Sequence, residues 1–176
     1  RLYWTNIKNV TLPIDRHITL DSILSDNSGS EDVSYCLTVK RSFPRLIKKY
    51  GYVPNRFNAY NATMITDKAC ALSRGGMITS SCATLLFVRQ KNGYNTVENG
   101  YLNMEFPTNL KDGKYNLRKL SIVEIERLQN LPDDYTYLPG LVDSKRAAMI
   151  GNGWTVDVIS HIFSAMEDRW AWISKE

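Results

Sequence analysis

The chain has 176 residues, 43% of them hydrophobic, with ten Tyr and four Trp, which fits one folded domain or a domain with a lobe and argues against wholesale disorder. Its net charge of +4 is compatible with nucleic-acid binding, but equally with many enzymes that never bind it. No apolar run is long enough to span a membrane, and three scattered Cys with two distant His disfavour disulfides and zinc, so we expect a reducing, cytoplasmic location without a metal.

The first 32 residues predict a strand, a short helix and a loop, in that order. Residues 1–7 (RLYWTNI) are mostly aromatic and β-branched, which is typical of a buried strand. Residues 15–24 predict a short helix that Thr19 caps. Residues 26–32 (DNSGSED) are polar and acidic, so we expect an exposed loop that marks a segment boundary.

The middle of the chain combines a basic helix with a region rich in turns. Residues 39–50 alternate Lys and Arg with apolar side chains, which predicts a basic amphipathic helix despite Pro44. Residues 51–116 contain frequent turn formers, among them Asn-Gly at 92–93, between short apolar runs such as residues 83–88 (ATLLFV). We therefore predict a β-rich lobe with several hairpins.

The last third of the chain is predicted to be helical. Ser121 and Glu124 have the spacing of a capping box, in which each side chain accepts a hydrogen bond from the other residue's backbone N–H. Pro132 then ends this helix by about Leu131. A final helix starts near Val156, and the spacing of its apolar residues predicts a core-facing side made of Ile159, Ile162, Phe163, Met166, Trp170 and Ile173.

Three segments resemble late motifs of the DNA cytosine-5 methyltransferase family. Residues 118–135 (RKLSIVEIERLQNLPDDY) are similar to its ninth motif, and residues 149–163 (MIGNGWTVDVISHIF) are similar to its tenth. The opening residues 1–6 (RLYWTN) look like the end of the eighth motif, with Arg1 as its second arginine. The motifs occur in the family's order, with a β-rich insert between the eighth and ninth, so the resemblance covers essentially the whole chain. It points to a bacterial or phage type of enzyme.

The resemblance implies a mixed α+β fold and a division into three segments. One part would be the edge of the family's S-adenosylmethionine-dependent α/β domain, and the other a small β-rich target recognition lobe. Residues 1–38 would end the catalytic domain with the eighth-motif strand and the following helix. Residues 39–117 would form the recognition lobe, and residues 118–176 would return to the catalytic domain through the ninth- and tenth-motif helices.

The family's catalytic motifs do not occur in this chain. The family nucleophile is the Cys of Pro-Cys-Gln or Pro-Cys-Asn, whereas Cys36, Cys70 and Cys82 follow Tyr, Ala and Ser. The Glu-Asn-Val motif and the glycine-rich donor loop are also missing from the sequence. We therefore expect the chain to be inactive by itself. Its start at Arg1, not Met, favours a processed product or a piece of a longer protein.

The resemblance assigns residues to the flipped base and to the methyl donor. Arg1 would contact O2 of the flipped cytosine, or else be a surface arginine at the start of the chain. Asn152, Gly153 and Trp154 would line part of the S-adenosylmethionine pocket. The alternative for Trp154 is a core side chain at the entry of the last helix.

The resemblance also implies contacts with double-stranded DNA. Residues 71–76 (ALSRGG) resemble the recognition loop, although Ala71 stands where the family usually has Thr and puts one phosphate contact in doubt. Thr84-Leu85 offers a second register for this loop. Arg74 is the candidate for a guanine edge, since arginine can donate two hydrogen bonds to guanine. The candidate loop residues are Ser73, Arg74, Gly75 and Gly76.

The basic helix supplies further candidates for phosphate contacts. They are Lys40, Arg41, Arg45, Lys48 and Lys49, and the alternative for each is a solvated helix face. Near the ninth motif, we expect Arg118 to order the junction between the lobes. Ser121 and Glu124 are expected to cap the helix, with no role for Glu124 as a general base.

Two classes of function, and one blander alternative, remain compatible with the sequence. The chain is the C-terminal part or a subunit of a cytosine-5 methyltransferase, and its partners are then DNA and the N-terminal catalytic half. Alternatively, it is a DNA-binding or regulatory module that never methylates, or a decayed relative that retains only the fold. The missing Pro-Cys-Gln does not separate these possibilities, because all of them lack it.

Overall fold

The fold is a small antiparallel sheet with helices on both faces. The computed structural model describes residues 5–25, 33, 36–72, 84–91, 94–96 and 115–166. The elements are α1 (Leu20–Ile23), α2 (Leu37–Tyr50), β1 (Arg56–Asn58), β2 (Thr63–Met64), β3 (Leu85–Lys91), β4 (Tyr94–Thr96), β5 (Tyr115–Lys119), α3 (Ile122–Leu128), α4 (Asp143–Asn152) and α5 (Val156–Ser164). This combination confirms the predicted α+β class.

Strand β3 is the centre of the sheet. It pairs antiparallel with β5 along most of its length, from Leu85 opposite Lys119 to Arg89 opposite Tyr115. On its other edge it pairs with β1 near its start and with β4 near its end, and β1 in turn pairs with β2. The β3–β4 pair surrounds the predicted Asn-Gly turn, which itself lies outside the described residues. The long apolar run in the sequence thus becomes the strand that organises the sheet.

The alternation of side chains along β3 separates two hydrophobic clusters. Leu85 and Phe87 belong to the cluster that contains α2, whereas Leu86 and Val88 belong to the cluster that contains α1, α3 and α4. Successive strand residues point to opposite faces, so this assignment follows from the period of two. The sheet therefore has α2 on one face and α1, α3 and α4 on the other.

Helix α2 follows the amphipathic pattern that the sequence predicts. Its inward side holds Val39 and Leu46, which are fully buried, while Pro44 lies within the helix and is exposed. The helix ends at Gly51, whose φ of 84° is left-handed and whose N–H donates to the Ile47 carbonyl at 2.8 Å. A left-handed residue at this point favours glycine.

Two predictions for the N-terminal segment need correction. Residues 5–7 form no strand and are at least partly exposed; residues 1–4 lie outside the described part of the chain. The short helix α1 is present, but the Thr19 side chain does not cap it. Instead, the Ser22 hydroxyl donates to the Thr19 carbonyl at 2.7 Å. A strand needs a hydrogen-bonded neighbour, and no strand pairs with residues 5–7 in the described sheet.

The helices after the sheet agree with the prediction only in part. Helix α3 ends at Leu128, within the predicted limit at about Leu131, and Gln129 is its C-cap. Helix α5 begins at Val156 as expected but contains no buried residue, and Phe163 is 54% exposed. The predicted burial is therefore wrong for α5 as described, although Ile159, Ile162 and Met166 are half-buried. The predicted core residues Trp170 and Ile173 lie outside the described residues.

The three predicted segments are joined by continuous packing. Strand β5 runs across the predicted boundary after residue 117, and its whole length pairs with β3. Leu20, Leu86 and Ile122, which come from three different predicted segments, share one cluster. The division at residues 38 and 117 stays a prediction about function, and the described core continues across both positions.

Candidate functional site

The N-terminal end of α3 is fixed by a fully buried ion pair. The Arg118 guanidinium donates to the Glu124 carboxylate at 2.7 and 2.9 Å, and both side chains are 0% exposed. The predicted capping box is present, with Ser121 N–H to Glu124 at 2.8 Å and Glu124 N–H to the Ser121 hydroxyl at 3.2 Å. The same carboxylate accepts the Ser25 N–H at 2.9 Å. Glu124 thus joins β5, α3 and the segment after α1.

A second arginine binds the C-terminal end of α3 to two neighbouring segments. Arg127 donates to the Ile23 carbonyl and the Ser25 hydroxyl, both at 2.9 Å, and to both oxygens of Asp133. The hydrogen bonds from Arg127 lower the pKa of Asp133, and those to Asp133 raise the pKa of Arg127. These contacts tie α1, α3 and the loop that follows α3.

A third arginine sits at the centre of a polar network between α3 and α4. Arg146 lies 3.1 Å from Glu126 and 3.1 Å from Asp143, and 3.3 Å from Asp134. Glu126 also accepts hydrogen bonds from the backbone N–H and the hydroxyl of Thr136, at 2.8 and 2.5 Å. Burial raises the pKa of Glu126, but the hydrogen bonds from Thr136 and the charge of Arg146 outweigh it and leave this pKa lowered. The network fixes the course of the loop between the two helices.

Gln129, just after α3, makes contacts on both sides of the turn that links α4 to α5. Its side-chain amide donates to the Ile150 carbonyl at 3.1 Å, and its side-chain oxygen accepts the Thr155 hydroxyl at 2.7 Å. Its backbone carbonyl accepts the Val156 N–H at 3.2 Å. The ninth-motif segment therefore contacts the last turn of α4 and the first residues of α5 together.

The turn that Gln129 brackets is residues 151–154, where the last two residues of α4 lead through Gly153 toward α5, and it contains the predicted donor-binding residues. Asn152 is exposed, and Trp154 is 61% exposed, so the alternative of a core tryptophan is wrong in this structure. The Gly153 N–H reaches the carbonyls of Met149 and Ile150 at 2.9 and 3.1 Å. A Cβ at position 153 would approach the Ile150 carbonyl to 3.3 Å, so the turn is tight. Asn152 and Trp154 thus present their side chains on a turn whose backbone is held from within.

A cleft of about 930 Å³ lies next to this turn, between residues 13–23 and the first half of α5. Thr155 lines the cleft, whereas Asn152, Gly153 and Trp154 do not, so the turn adjoins the cleft at one edge only. Both apolar and polar side chains line it, among them Ile14, Ile18, Leu128, Val158 and His161. Residues 11–16 are held over α5 by the Arg16–Asp157 ion pair and by a 2.9 Å contact between His161 Nε2 and the Thr11 carbonyl.

The outer side of α2 is a basic surface on the opposite face of the sheet. The buried side chains of the helix lie on its other side. All five cations of the helix are exposed: Lys40, Arg41, Arg45, Lys48 and Lys49. The helix contains no acidic residue, and its five cations exceed the net charge of +4 for the whole chain. Arg45 donates to the Tyr60 carbonyl at 2.8 Å, and the Lys49 ammonium lies 5.0 Å from the Tyr50 ring. This is a local concentration of positive charge.

The predicted recognition loop is described only at its start. Ser73, Arg74, Gly75 and Gly76 lie outside the described residues, as does Arg1. Thr84 and Leu85, the second register for this loop, are buried, and the Thr84 hydroxyl accepts the Cys70 N–H at 3.0 Å. Both residues are thus packed inside the fold, and the register of the recognition loop stays a prediction.

Sequence reasoning missed four residues that hold the turn and the network. These are Glu126, Gln129, Arg146 and Thr155. Gln129 lies within the ninth-motif resemblance, but that match gives no partner for its side chain. Arg146 and Glu126 are charged residues in helices, where a sequence pattern favours an exposed position, and only their burial together reveals the pairing.

The described thiols do not form an obvious catalytic site. Cys36 and Cys70 are free and half-buried, and Cys70 accepts a 3.3 Å contact from the Asn58 amide. Within the described ranges, no group of three or more His, Cys, Asp or Glu side chains could hold a metal ion. In the same ranges, no helix is long and apolar enough to cross a membrane.

Helices on a small antiparallel sheet, with an exposed glycine turn beside a cleft, are consistent with a methyltransferase-type domain. The model of the C-5 cytosine-specific DNA methylase family matches residues 19–168. The match covers most of the chain, so the chain belongs to this family. DNA is accordingly its expected substrate and methylation of cytosine at C5 the family's reaction. No curated protein matches the chain.

Proposed function

We propose that this chain supplies the DNA-reading surface and one wall of the donor pocket of a DNA cytosine-5 methyltransferase, whose nucleophilic cysteine comes from another part of the enzyme. The observation that carries this proposal is the turn at residues 151–154, which exposes Asn152 and Trp154, adjoins a cleft and is held by the ninth-motif segment. None of the three cysteines, Cys36, Cys70 and Cys82, has the Pro-Cys-Gln context of the family nucleophile. The reacting sulfur therefore belongs to an N-terminal half that the chain must meet.

The residues of the turn fit a donor such as S-adenosylmethionine. Trp154 offers a large exposed aromatic surface on which an adenine could stack, and stacking of a base on an aromatic ring contributes about 1–3 kcal/mol. Asn152 adds an exposed amide, which can both donate and accept hydrogen bonds. When bound, the donor would supply an electrophilic methyl group on a sulfonium. The role of this chain is to hold one side of it.

The target cytosine must leave the base stack before it can react, so the enzyme must bind the surrounding duplex tightly. The exposed cations of α2 supply favourable charge for the phosphates, a contribution that does not depend on sequence. Residues 73–76 would read the base edges, with Arg74 on a guanine, and Arg1 would contact the flipped cytosine. These two assignments rest on the resemblance and on the chemistry of arginine.

The surface of residues 11–16 and α5 supports the expected N-terminal partner. Leu12 and Ile14 are each 91% exposed, and Phe163 and Val156 on α5 are also exposed. Exposed apolar side chains of this number mark an interaction surface. The catalytic half of the enzyme, with its larger sheet, is the occupant that the proposed function requires.

The donor assignment is tested with Trp154→Ala in the complete enzyme. Titration with S-adenosylhomocysteine should show about tenfold weaker binding, while duplex DNA affinity changes less than twofold. Tyr135→Ala is the matched control, because Tyr135 is an equally exposed aromatic (68%) in the loop before α4. Equal donor affinity in the Trp154→Ala variant and the wild type would remove the turn from the pocket.

The absence of a nucleophile is tested with the isolated chain. It should bind duplex DNA weakly, with a strong dependence on salt, and should transfer no labelled methyl group. Methyl transfer by the purified chain would contradict the proposal. A complete protein that binds DNA but never S-adenosylhomocysteine would favour the DNA-binding module instead.

A further inference from the structure

We infer that Gln129 is a positioning residue for the donor-binding turn, acting together with Thr155. This inference rests on the proposed function, because it assigns the turn at residues 151–154 to the donor pocket. Gln129 does not reach the exposed side of the turn. Its role is to set the position of the backbone that carries Asn152 and Trp154.

The geometry places Gln129 at both ends of the turn. Its amide donates to the Ile150 carbonyl before the turn, and its side-chain oxygen accepts the Thr155 hydroxyl after it. The backbone carbonyl of the same residue accepts the Val156 N–H. Gln129 therefore makes three hydrogen bonds, one donated and two accepted, which together fix the distance between the end of α4 and the start of α5.

The orientation of Thr155 supports a dedicated role. Thr155 is the N-cap of α5, a position at which a threonine hydroxyl usually accepts a backbone N–H of its own helix. Here the Thr155 side chain makes no such capping bond. Its hydroxyl donates to Gln129 at 2.7 Å instead. Thr155 thus links the start of α5 to Gln129, the C-cap of α3. The first turn of α5 is left without a side-chain cap.

The amide of Gln129 is buried, and both of its polar atoms are used. Gln129 is 5% exposed, and a buried amide is stable only when its donor and acceptor are both satisfied. A carboxylate at this position could accept from Thr155 but could not donate to Ile150. The site therefore requires a side-chain amide that can donate and accept at the same time. A residue that only filled space would not need such an amide.

The fixed turn has a consequence for binding. Asn152 and Trp154 are exposed, so packing of their own side chains contributes little to the position of the turn. If a pocket wall must become ordered when the ligand binds, the affinity for the ligand is reduced. A wall that is already ordered avoids this loss. Gln129 keeps this wall in place before the donor arrives.

The test uses Gln129→Leu, Gln129→Glu, Thr155→Val and Thr155→Ser in the complete protein. Asp133→Asn is the control, because it weakens an exposed ion pair at the same end of α3 without touching the turn. The first measurement is amide hydrogen exchange at Gly153 and Val156, with the Glu124 amide of the capping box as the internal reference. The second is the dissociation constant for S-adenosylhomocysteine.

Gln129→Leu and Thr155→Val should speed exchange at Val156 and weaken S-adenosylhomocysteine binding by about tenfold, with duplex DNA affinity within about twofold. Thr155→Ser retains the hydroxyl and should restore both values, and Gln129→Glu, whose buried carboxylate would face the Ile150 carbonyl, should lose at least as much as Gln129→Leu. Thr155 is only half-buried, so Thr155→Val should disturb folding little. This variant therefore tests the inference even if Gln129→Leu folds poorly.

Exchange and ligand affinity that match Asp133→Asn in both Gln129→Leu and Thr155→Val would overturn the inference. Faster exchange without loss of ligand affinity would also overturn it, since the turn would then move without consequence. The proposed function fails on a different result, namely unchanged ligand affinity in Trp154→Ala. The two failures are therefore distinguishable.

Discussion

The two faces of the sheet are covered by helices that use charge in opposite ways. On one face, α2 packs through apolar side chains such as Val39 and Leu46 and places all its cations at the surface. On the other face, β5, α3 and α4 hold two buried ion pairs, Arg118–Glu124 and Arg146–Glu126. Arginine is thus solvated on one face and buried on the other.

The difference shows which charges are available to a ligand. An exposed lysine can exchange its hydration and counterions for a phosphate, which is the basis of salt-dependent binding to DNA. A buried arginine that already donates to a carboxylate contributes to structure instead. We therefore expect variants of α2 to change DNA binding and variants of the α3–α4 charges to change stability.

The largest effect is expected for Glu124→Ala. This change leaves the buried Arg118 charge without its carboxylate and removes the capping box and the Ser25 contact. Loss of one partner of a buried pair typically costs about 3–5 kcal/mol of unfolding free energy. Urea denaturation measures it, and Asp133→Ala, in an exposed pair, should lose much less. The double change Arg118→Met/Glu124→Met should be more stable than Glu124→Ala; if it is less stable, the burial argument is wrong.

A smaller loss is expected for Glu126→Gln, because Arg146 keeps Asp134 and Asp143 as partners. The pKa of Glu126 is lowered in the fold from an ordinary value of 4.5. A lowered pKa stabilises the fold above the ordinary value, and this contribution disappears as the pH falls through the folded pKa. Wild-type stability should therefore fall below about pH 4.5, and Glu126→Gln should flatten that fall. Parallel pH profiles for the two proteins in urea denaturation would contradict the assignment.

On the other face, Lys48→Gln/Lys49→Gln should weaken duplex DNA binding without a large loss of stability. If both lysines contact phosphates, the slope of log affinity against log salt should decrease in magnitude by about 2. Fluorescence anisotropy at several salt concentrations measures this slope. Lys8→Gln/Lys145→Gln removes the same charge from two exposed lysines outside α2. If that control reduces the slope equally, net charge and not the surface of α2 would explain binding.

The smallest effect is expected for Gly51→Ala at the end of α2. The φ of 84° at Gly51 is unfavourable for a residue with a Cβ, although no atom lies within 4 Å of the added carbon. Backbone strain alone should therefore lower the unfolding free energy by about 1 kcal/mol. Gly51→Asn should lose less, since asparagine tolerates the left-handed region. An unchanged midpoint in thermal unfolding of Gly51→Ala would show that the helix end relaxes.

Local sequence signals predicted the local parts of the structure. The capping box of Ser121 and Glu124 involves residues three positions apart, so its geometry follows once the helix forms. The start of α5 at Val156 and the amphipathic character of α2 were predicted from spacing in the same way. The failures are the strand expected at residues 5–7, the cap expected from Thr19 and the burial expected for α5. Residues 5–7 have no strand beside them, the Thr19 side chain makes no capping bond, and α5 has no buried residue.

The sequence by itself determined the family motifs, the helical and strand periods, and the concentration of positive charge in α2, because each depends on residues close together in the chain. Only the tertiary structure decided which charges are buried, since Glu126 and Arg146 come from different helices and pair only after α3 and α4 pack. It also decided that Gln129 contacts both ends of the turn at residues 151–154. Such contacts depend on distances between segments far apart in sequence, and hydrophobic periodicity carries no information about them.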